Sequence, residues 1–474
     1  MPVTFDPASF RDPDGKVFHF QDKVYRCLTG NGGRSYEKAQ ASGLLKFLEK
    51  EGLIVATRLC GGDEVTSFGF KTAVEMVIEQ EKVPFLSYPY EWSFEMLRKA
   101  ALTHLDLMAH LVPRGLIVKD SSAYNYQFFG SNCKLIDIPS IEERKAKEPW
   151  LGYTQFCRHF LNPLLIYSVL KLPPHPLLRS NLDGISVEDA NALIPCWKQL
   201  KNGILLHVWL QALLERKSSG LFSERALFME LPDQKNTILG TVKRIRRLIE
   251  HLDRPRRKNL WINYELKNSY TERARLAKQS MIENVIAKSK ADLVYDFGAN
   301  AGEYSLIAAK HAAYVVAFDS DDSVADHLFM RLLKEKRGNV LPLLMDFTNP
   351  SPDQGFAGKE CRSLMQRGKP DLIIAYALIH HLRINGNIPF HLMLDWFYSL
   401  GAPNLLVEFV PKEDPMVQRL LRNRDDIYED YNLDAFGRLC KERFKIIEQI
   451  QIPDRASEIF WLGQKAVTTQ VVSV

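Results

Sequence analysis

Acids placed where apolar runs end, together with one glycine-bearing turn, define the chemistry this chain can do. In Val294-Tyr295-Asp296-Phe297-Gly298-Ala299-Asn300-Ala301-Gly302 an apolar run reaches Asp296 and then turns through glycines at 298 and 302. Glycine accepts the left-handed backbone of a tight turn and lets a ligand lie against the main chain. Asp296 can pair with a cationic ligand group, and Asn300 belongs to the same ligand-cradling turn. A second apolar run ends at Asp319 and a third at Asp346. In an open parallel sheet, ligands lie across the carboxyl ends of the strands, where an acid such as Asp319 can hold both hydroxyls of a ribose. Asp346 is then placed to read an adenine edge. The turn lacks the G-x-G-x-x-G spacing that brings a pyrophosphate onto a helix N-terminus, which argues against a nicotinamide dinucleotide. His380 and His381 follow a fourth run, and Glu408 ends a fifth. Any of the three can serve as a base toward a hydroxyl acceptor, histidine because it titrates near neutrality. Adjacent histidines rarely converge on one ion, so a metal role is not expected of the pair.

The elements that must position these residues follow from the apolar pattern. Apolar strands at 293–297, 314–318, 340–344, 372–376 and 405–409 alternate with helical or loop segments. That alternation predicts a parallel sheet covered on both faces. The N-terminal region has a different texture. Strands are expected at 17–20 and 24–28 around Gln21-Asp22-Lys23, then a helix carrying Leu44, Leu45, Phe47 and Leu48. A long helix is expected over 92–111, then short strands near Ile117, 126–129 and 134–136. Residues 154–231 read as mostly helical, broken at Pro173-Pro174-His175-Pro176. The 474 residues thus divide into 1–231, a linker at 232–288, and 289–474.

Within the first region, Lys119-Asp120-Ser121-Ser122-Ala123-Tyr124-Asn125 precedes a short hairpin and Asp137. The D-x-x-x-x-N spacing with a further Asp resembles a kinase catalytic loop and its metal-binding Asp. The resemblance implies an α+β kinase-like domain in which Asp120 orients an acceptor hydroxyl. Asn125 and Asp137 would hold Mg²⁺ on ATP if that site is active. The departures are marked. No glycine-rich phosphate loop joins the first strands, the strand lysine is assignable only to Lys71, Val118-Lys119 replaces His-Arg, and Asp137-Ile138-Pro139 replaces DFG. A pseudokinase or substrate-recruiting domain is the alternative.

Over 261–463 the chain resembles a class I S-adenosylmethionine-dependent methyltransferase, on the D-x-G-x-x-x-G turn, the strand-end acids and Ala375-Tyr376-Ala377-Leu378-Ile379-His380-His381-Leu382. The resemblance implies a Rossmann-like α/β sheet closed by a β-hairpin at 444–450 and 459–463. Asp296, Gly298 and Gly302 would cradle the methionine moiety, Asp319 the ribose and Asp346 the adenine. A helical segment before the first strand would cap the cofactor through Tyr270 and Lys278. Ser87-Tyr88-Pro89-Tyr90-Glu91-Trp92-Ser93 and Glu408-Phe409-Val410-Pro411-Lys412-Glu413-Asp414 extend the likeness to a bacterial family of predicted methyltransferases with nodulation-associated members. A small-molecule or saccharide acceptor is expected.

The net charge of +5 is concentrated. Eight basic residues stand against Glu250 and Asp253 between 243 and 258, a local +6, leaving −1 for the rest. The expected form is a solvated helix with Ile245, Leu248, Ile249 and Leu252 as its buried stripe. If that segment lines the approach to the cleft, the acceptor is anionic; nucleic acid is not the expected partner. Seven scattered cysteines without zinc spacing point to a reducing compartment, and no signal-like or membrane-spanning run is seen, so a cytoplasmic location is expected.

Overall fold

The computed structural model describes residues 3–12, 15–70, 74–195, 232–254, 271–422 and 425–465. The chain forms two compact units, Met1–Arg257 with Asp353–Cys361, and Lys258–Pro352 with Arg362–Val474.

The second unit is built on seven strands: β10 (Leu293–Phe297), β11 (Tyr314–Asp319), β12 (Val340–Leu344), β13 (Leu372–Ala375), β14 (Asn404–Phe409), β15 (Phe444–Gln451) and β16 (Glu458–Gln464). Their order is β12-β11-β10-β13-β14-β16-β15. The first five are parallel, and β16 enters antiparallel beside β14 and pairs with β15 as a hairpin. This is a doubly wound sheet whose order reverses between β10 and β13, the switch point at which such sheets bind ligands. The five parallel strands are apolar because helices cover both faces. Val294, Val315, Val340, Leu372 and Leu406 lie buried on one face with Ile282, Val285 and Ile286 of the helix Glu272–Ser289. The expected strands and closing hairpin are all present, each within three residues of its expected ends.

The first unit opens with an antiparallel sheet, β1 (Thr4–Phe5), β2 (Gly15–Phe20), β3 (Lys23–Leu28), β5 (Met76–Gln80) and β4 (Thr57–Leu59), in that spatial order. The β2–β3 turn falls at Gln21-Asp22 as expected, with Gln21 at φ +54°. Phe18 stacks on Tyr25, and Phe68 packs edge-on against both. Strands β4 and β5 are not among the expected strands; their apolar residues are broken by Arg58 in β4 and by Glu79 and Gln80 in β5. The helix Phe94–Leu111 is capped by Ser93 and followed by β6 (Leu116–Val118), the hairpin β7 (Tyr126–Phe129) and β8 (Asn132–Leu135), and β9 (Ile141–Glu143), which pairs with β6. The helix Lys235–Glu250 belongs to this unit, with Ile245, Leu248 and Ile249 buried and Leu252 buried beyond its end. Its basic Arg246 pairs with Asp106 and Glu250, so the described part of the basic segment is an amphipathic helix docked on Phe94–Leu111. Its remaining basic residues at 255–258, and Lys71, lie outside the described residues. Among the described residues no helix is long and apolar enough to cross a membrane.

Candidate functional site

At the switch point β10 hands the chain to the helix Glu303–Ala308 through a turn whose residues 298, 300 and 302 all have positive φ, +77°, +50° and +82°. Gly298 N–H and Ala299 N–H both donate to Phe318 O at 2.9 Å, which ties the turn to the end of β11. Asp319 then bridges back. Its Oδ2 accepts Asn300 N–H at 2.8 Å and its Oδ1 accepts Asp321 N–H at 2.9 Å. Burial still raises its pKa, the backbone donors opposing. A cavity of about 370 Å³ opens on this arrangement and is lined by Gly298, Asn300, Asp319, Asp346, His380 and His381 among others. Asn300 Oδ1 is buried beside it with no partner among the described residues.

The remaining turn residues have other tasks. Asp296 is 2% exposed and does not line the cavity. Ser305 Oγ donates to its Oδ2 at 2.5 Å, and burial, helped by the charge of Asp319, pushes its pKa up to about 7. Gly302 also stands outside the cavity. A Cβ there would come within 2.6 Å of Leu328 Cδ1, so this glycine is required for close packing of the turn against the helix Asp322–Glu335 as well as for its φ. Gly302→Ala is therefore expected to destabilise the fold by about 2–4 kcal/mol, read as a fall in urea midpoint at unchanged slope.

Asp346 is exposed and accepts Thr348 N–H at 2.8 Å and Thr348 Oγ–H at 2.7 Å through Oδ1. Beyond β13 the chain passes through Ala377, at φ +48°, into a π-helical turn at His381–Asn385. His380 and His381 stack with ring centroids 4.3 Å apart. Burial lowers both pKa values, and in His380 the neighbouring His381 and Lys278 lower it further.

Glu408 is not arranged as a base. It is fully buried away from the cavity, and its Oε2 accepts from Lys278 Nζ at 2.8 Å and from Ala377 N–H at 2.9 Å. The adjacent Lys412 pairs with Asp426 instead. Lys278, expected as part of a cofactor cap, is 1% exposed and committed to this pair. The signal was present in sequence: Lys278 sits on the apolar stripe Ala274, Met281, Ile282, Val285, and Glu408 interrupts an apolar strand. Tyr270 lies outside the described residues.

In the first unit Asp120 Oδ1 accepts from Ser122 N–H at 3.1 Å and Gln155 Nε2 at 2.6 Å, and Asn125 Nδ2 donates to Asp120 O at 3.3 Å. Asp137 is taken by the guanidinium of Arg26 on β3, whose Nη1 also lies 3.3 Å from Asp12. Asp137 is therefore spent on a protein partner, whereas the bond from Asn125 engages only its amide nitrogen and not the oxygen that would ligate a metal; the described residues contain no cluster of three metal-ligating His, Cys, Asp or Glu side chains.

Fold and topology together define a Rossmann-like α/β unit joined to an α+β unit. No family model matches the chain. It is 33% identical over 453 residues to the nodulation protein NoeA of Rhizobium meliloti (strain 1021), covering 94% of this chain and 93% of that protein. The chain belongs to the family of NoeA. Among solved structures, the N-methyltransferase NodS of Bradyrhizobium japonicum WM9 is 10% identical over 41% of this chain and 98% of its own, with a TM-score of 0.30. Magnesium protoporphyrin IX methyltransferase of Synechocystis PCC 6803 is 16% identical over 41% and 86%, with a TM-score of 0.29.

Proposed function

We propose that the chain is an S-adenosylmethionine-dependent methyltransferase acting on a small-molecule or saccharide acceptor, in the nodulation context named by its relative. The observation that carries this reading is one cavity lined by Asp319, backbone-bound to the Gly298–Asn300 turn, together with His380 and His381. The residues fit the cofactor: Gly298 leaves the turn open, Asn300 Oδ1 is an unmet buried acceptor, and Asp319 is an acid held by main-chain donors. Asp319 would hold the ribose, Asp346 the adenine edge, and the 298–300 turn the methionine moiety. The bound cofactor supplies an electrophilic methyl group on a sulfonium. What the protein contributes is in-line placement of the acceptor. His381, kept neutral by burial, would accept the acceptor's proton when that acceptor is a hydroxyl. Calorimetric titration with S-adenosylmethionine and S-adenosylhomocysteine tests the reading; absence of heat with both ends it.

For the first unit we propose a role without phosphoryl transfer. The order of helix, strand, Asp120, Asn125, hairpin and Asp137 follows that of a kinase catalytic loop. Against activity, the Arg26 guanidinium, permanently charged, occupies the carboxylate that Mg²⁺ would need. Millimolar Mg²⁺ with ATP is expected to shift the melting temperature by less than about 1 °C. A saturable shift that vanishes in Asp137→Ala would overturn this.

A further inference from the structure

Among the described residues of the second unit the most deeply buried charges are Lys278 and Glu408, 1% and 0% exposed, and neither lines the cavity. Burying two charges costs their hydration, so such a pair is a poor device for stability alone and the geometry it enforces is the better guide to its role. A single oxygen, Glu408 Oε2, accepts both Lys278 Nζ and the backbone N–H of Ala377. Ala377 has φ +48°, a region that residues with a Cβ disfavour. It needs an external hold to stay there, and the carboxylate supplies one. Lys278 Nζ also lies beside the rings of Tyr376 and Tyr304, 5.5 and 5.7 Å from their centroids, and those rings meet edge to face. One ion pair thus joins the helix Glu272–Ser289, β14 and the turn after β13.

We propose that Glu408, its buried charge neutralised by Lys278, is a positioning residue whose side-chain oxygen fixes the Ala377 amide and with it the turn presenting Leu378, His380 and His381 to the cavity. What that turn presents rests on the methyltransferase reading; the clamp itself does not.

Two double variants of the full chain separate positioning from charge. Lys278→Met with Glu408→Gln removes both charges but keeps an acceptor for Ala377, whereas Lys278→Met with Glu408→Met removes the acceptor as well. The first is expected to retain wild-type hydrogen-exchange protection at Ala377 and wild-type affinity for S-adenosylhomocysteine. The second is expected to fold, with Ala377 exchanging at least about tenfold faster and binding at least about tenfold weaker. Equal behaviour of the two, protected or unprotected, overturns the proposal. Should either double variant not fold, Glu408→Asp decides: it keeps the charge for Lys278 while withdrawing the acceptor by one methylene, and unchanged exchange at Ala377 refutes the clamp. If the wild-type chain binds no S-adenosylhomocysteine, the methyltransferase reading fails and the exchange comparison still judges the clamp.

Discussion

Asp319→Asn should weaken S-adenosylhomocysteine binding by about 100-fold while leaving the melting temperature within a few degrees of wild type. The carboxylate is oriented before any ligand arrives, because Asn300 N–H and Asp321 N–H each hold one of its oxygens. Two ribose hydroxyls donating to an ionised acid form charge-assisted hydrogen bonds of about 1.5–3 kcal/mol each. An amide loses the charge, and its NH₂ opposes whichever backbone donor or hydroxyl it faces. A net loss near 3 kcal/mol corresponds to about 150-fold in dissociation constant. The turn itself should persist, because Gly298 and Ala299 remain bonded to Phe318 O independently of residue 319. Calorimetry gives the affinity and thermal denaturation the control. Affinity within about threefold of wild type would remove Asp319 from the ligand.

The parts of the site that were legible in the sequence are those where one residue type has one task. An unpartnered acid is costly inside a strand buried on both faces, so Asp319 and Asp346 stand out at or just past the ends of apolar runs, and both line the cavity. Gly298 and Gly302 read alike as turn glycines, but sequence carries no information on what a Cβ would strike. One opens on the cavity, whereas the other is pressed against Leu328. Glu408 was ambiguous for a related reason. Its nearest cation in sequence, Lys412, proved to be a surface partner of Asp426, and the true partner came from a helix 130 residues away. Buried charges select partners by burial, not by proximity along the chain. Arg26 was missed because strand β3 was read for its apolar residues, and its guanidinium gains meaning only once β3 and Asp137 are in one place.

The second large effect is a dependence on pH set by Asp296. Its carboxyl is buried in the second unit, with Ser305 donating to it and Asp319 repelling it, and its pKa stands at about 7 against 3.8 when exposed. A folded-state pKa raised above the unfolded value favours the protonated form. The stabilisation is complete below the unfolded value and is lost as pH rises through 7. Asp296→Asn removes that loss, so the unliganded variant should be more stable than wild type by about 2–4 kcal/mol at pH 8, with the difference closing toward pH 5. Ligand binding should run the other way. A cationic methionine moiety held by the adjoining turn favours the carboxylate through the intervening low-dielectric interior, so wild-type binding is expected to release a proton below pH 7 and to weaken as pH falls, by up to about tenfold per unit. Protonation of Asp319, also raised by burial, and of His380 and His381 at lower pH acts in the same direction. The Asn variant isolates the contribution of Asp296. It should bind at least about tenfold more weakly at pH 8 yet approach wild type near pH 5.5, where the unliganded wild-type side chain is also neutral and must give up its proton to bind. Titrations in buffers of different ionisation enthalpy count the released proton directly. A wild-type affinity flat from pH 5.5 to 8, with no proton release, would place the positive charge of the ligand elsewhere.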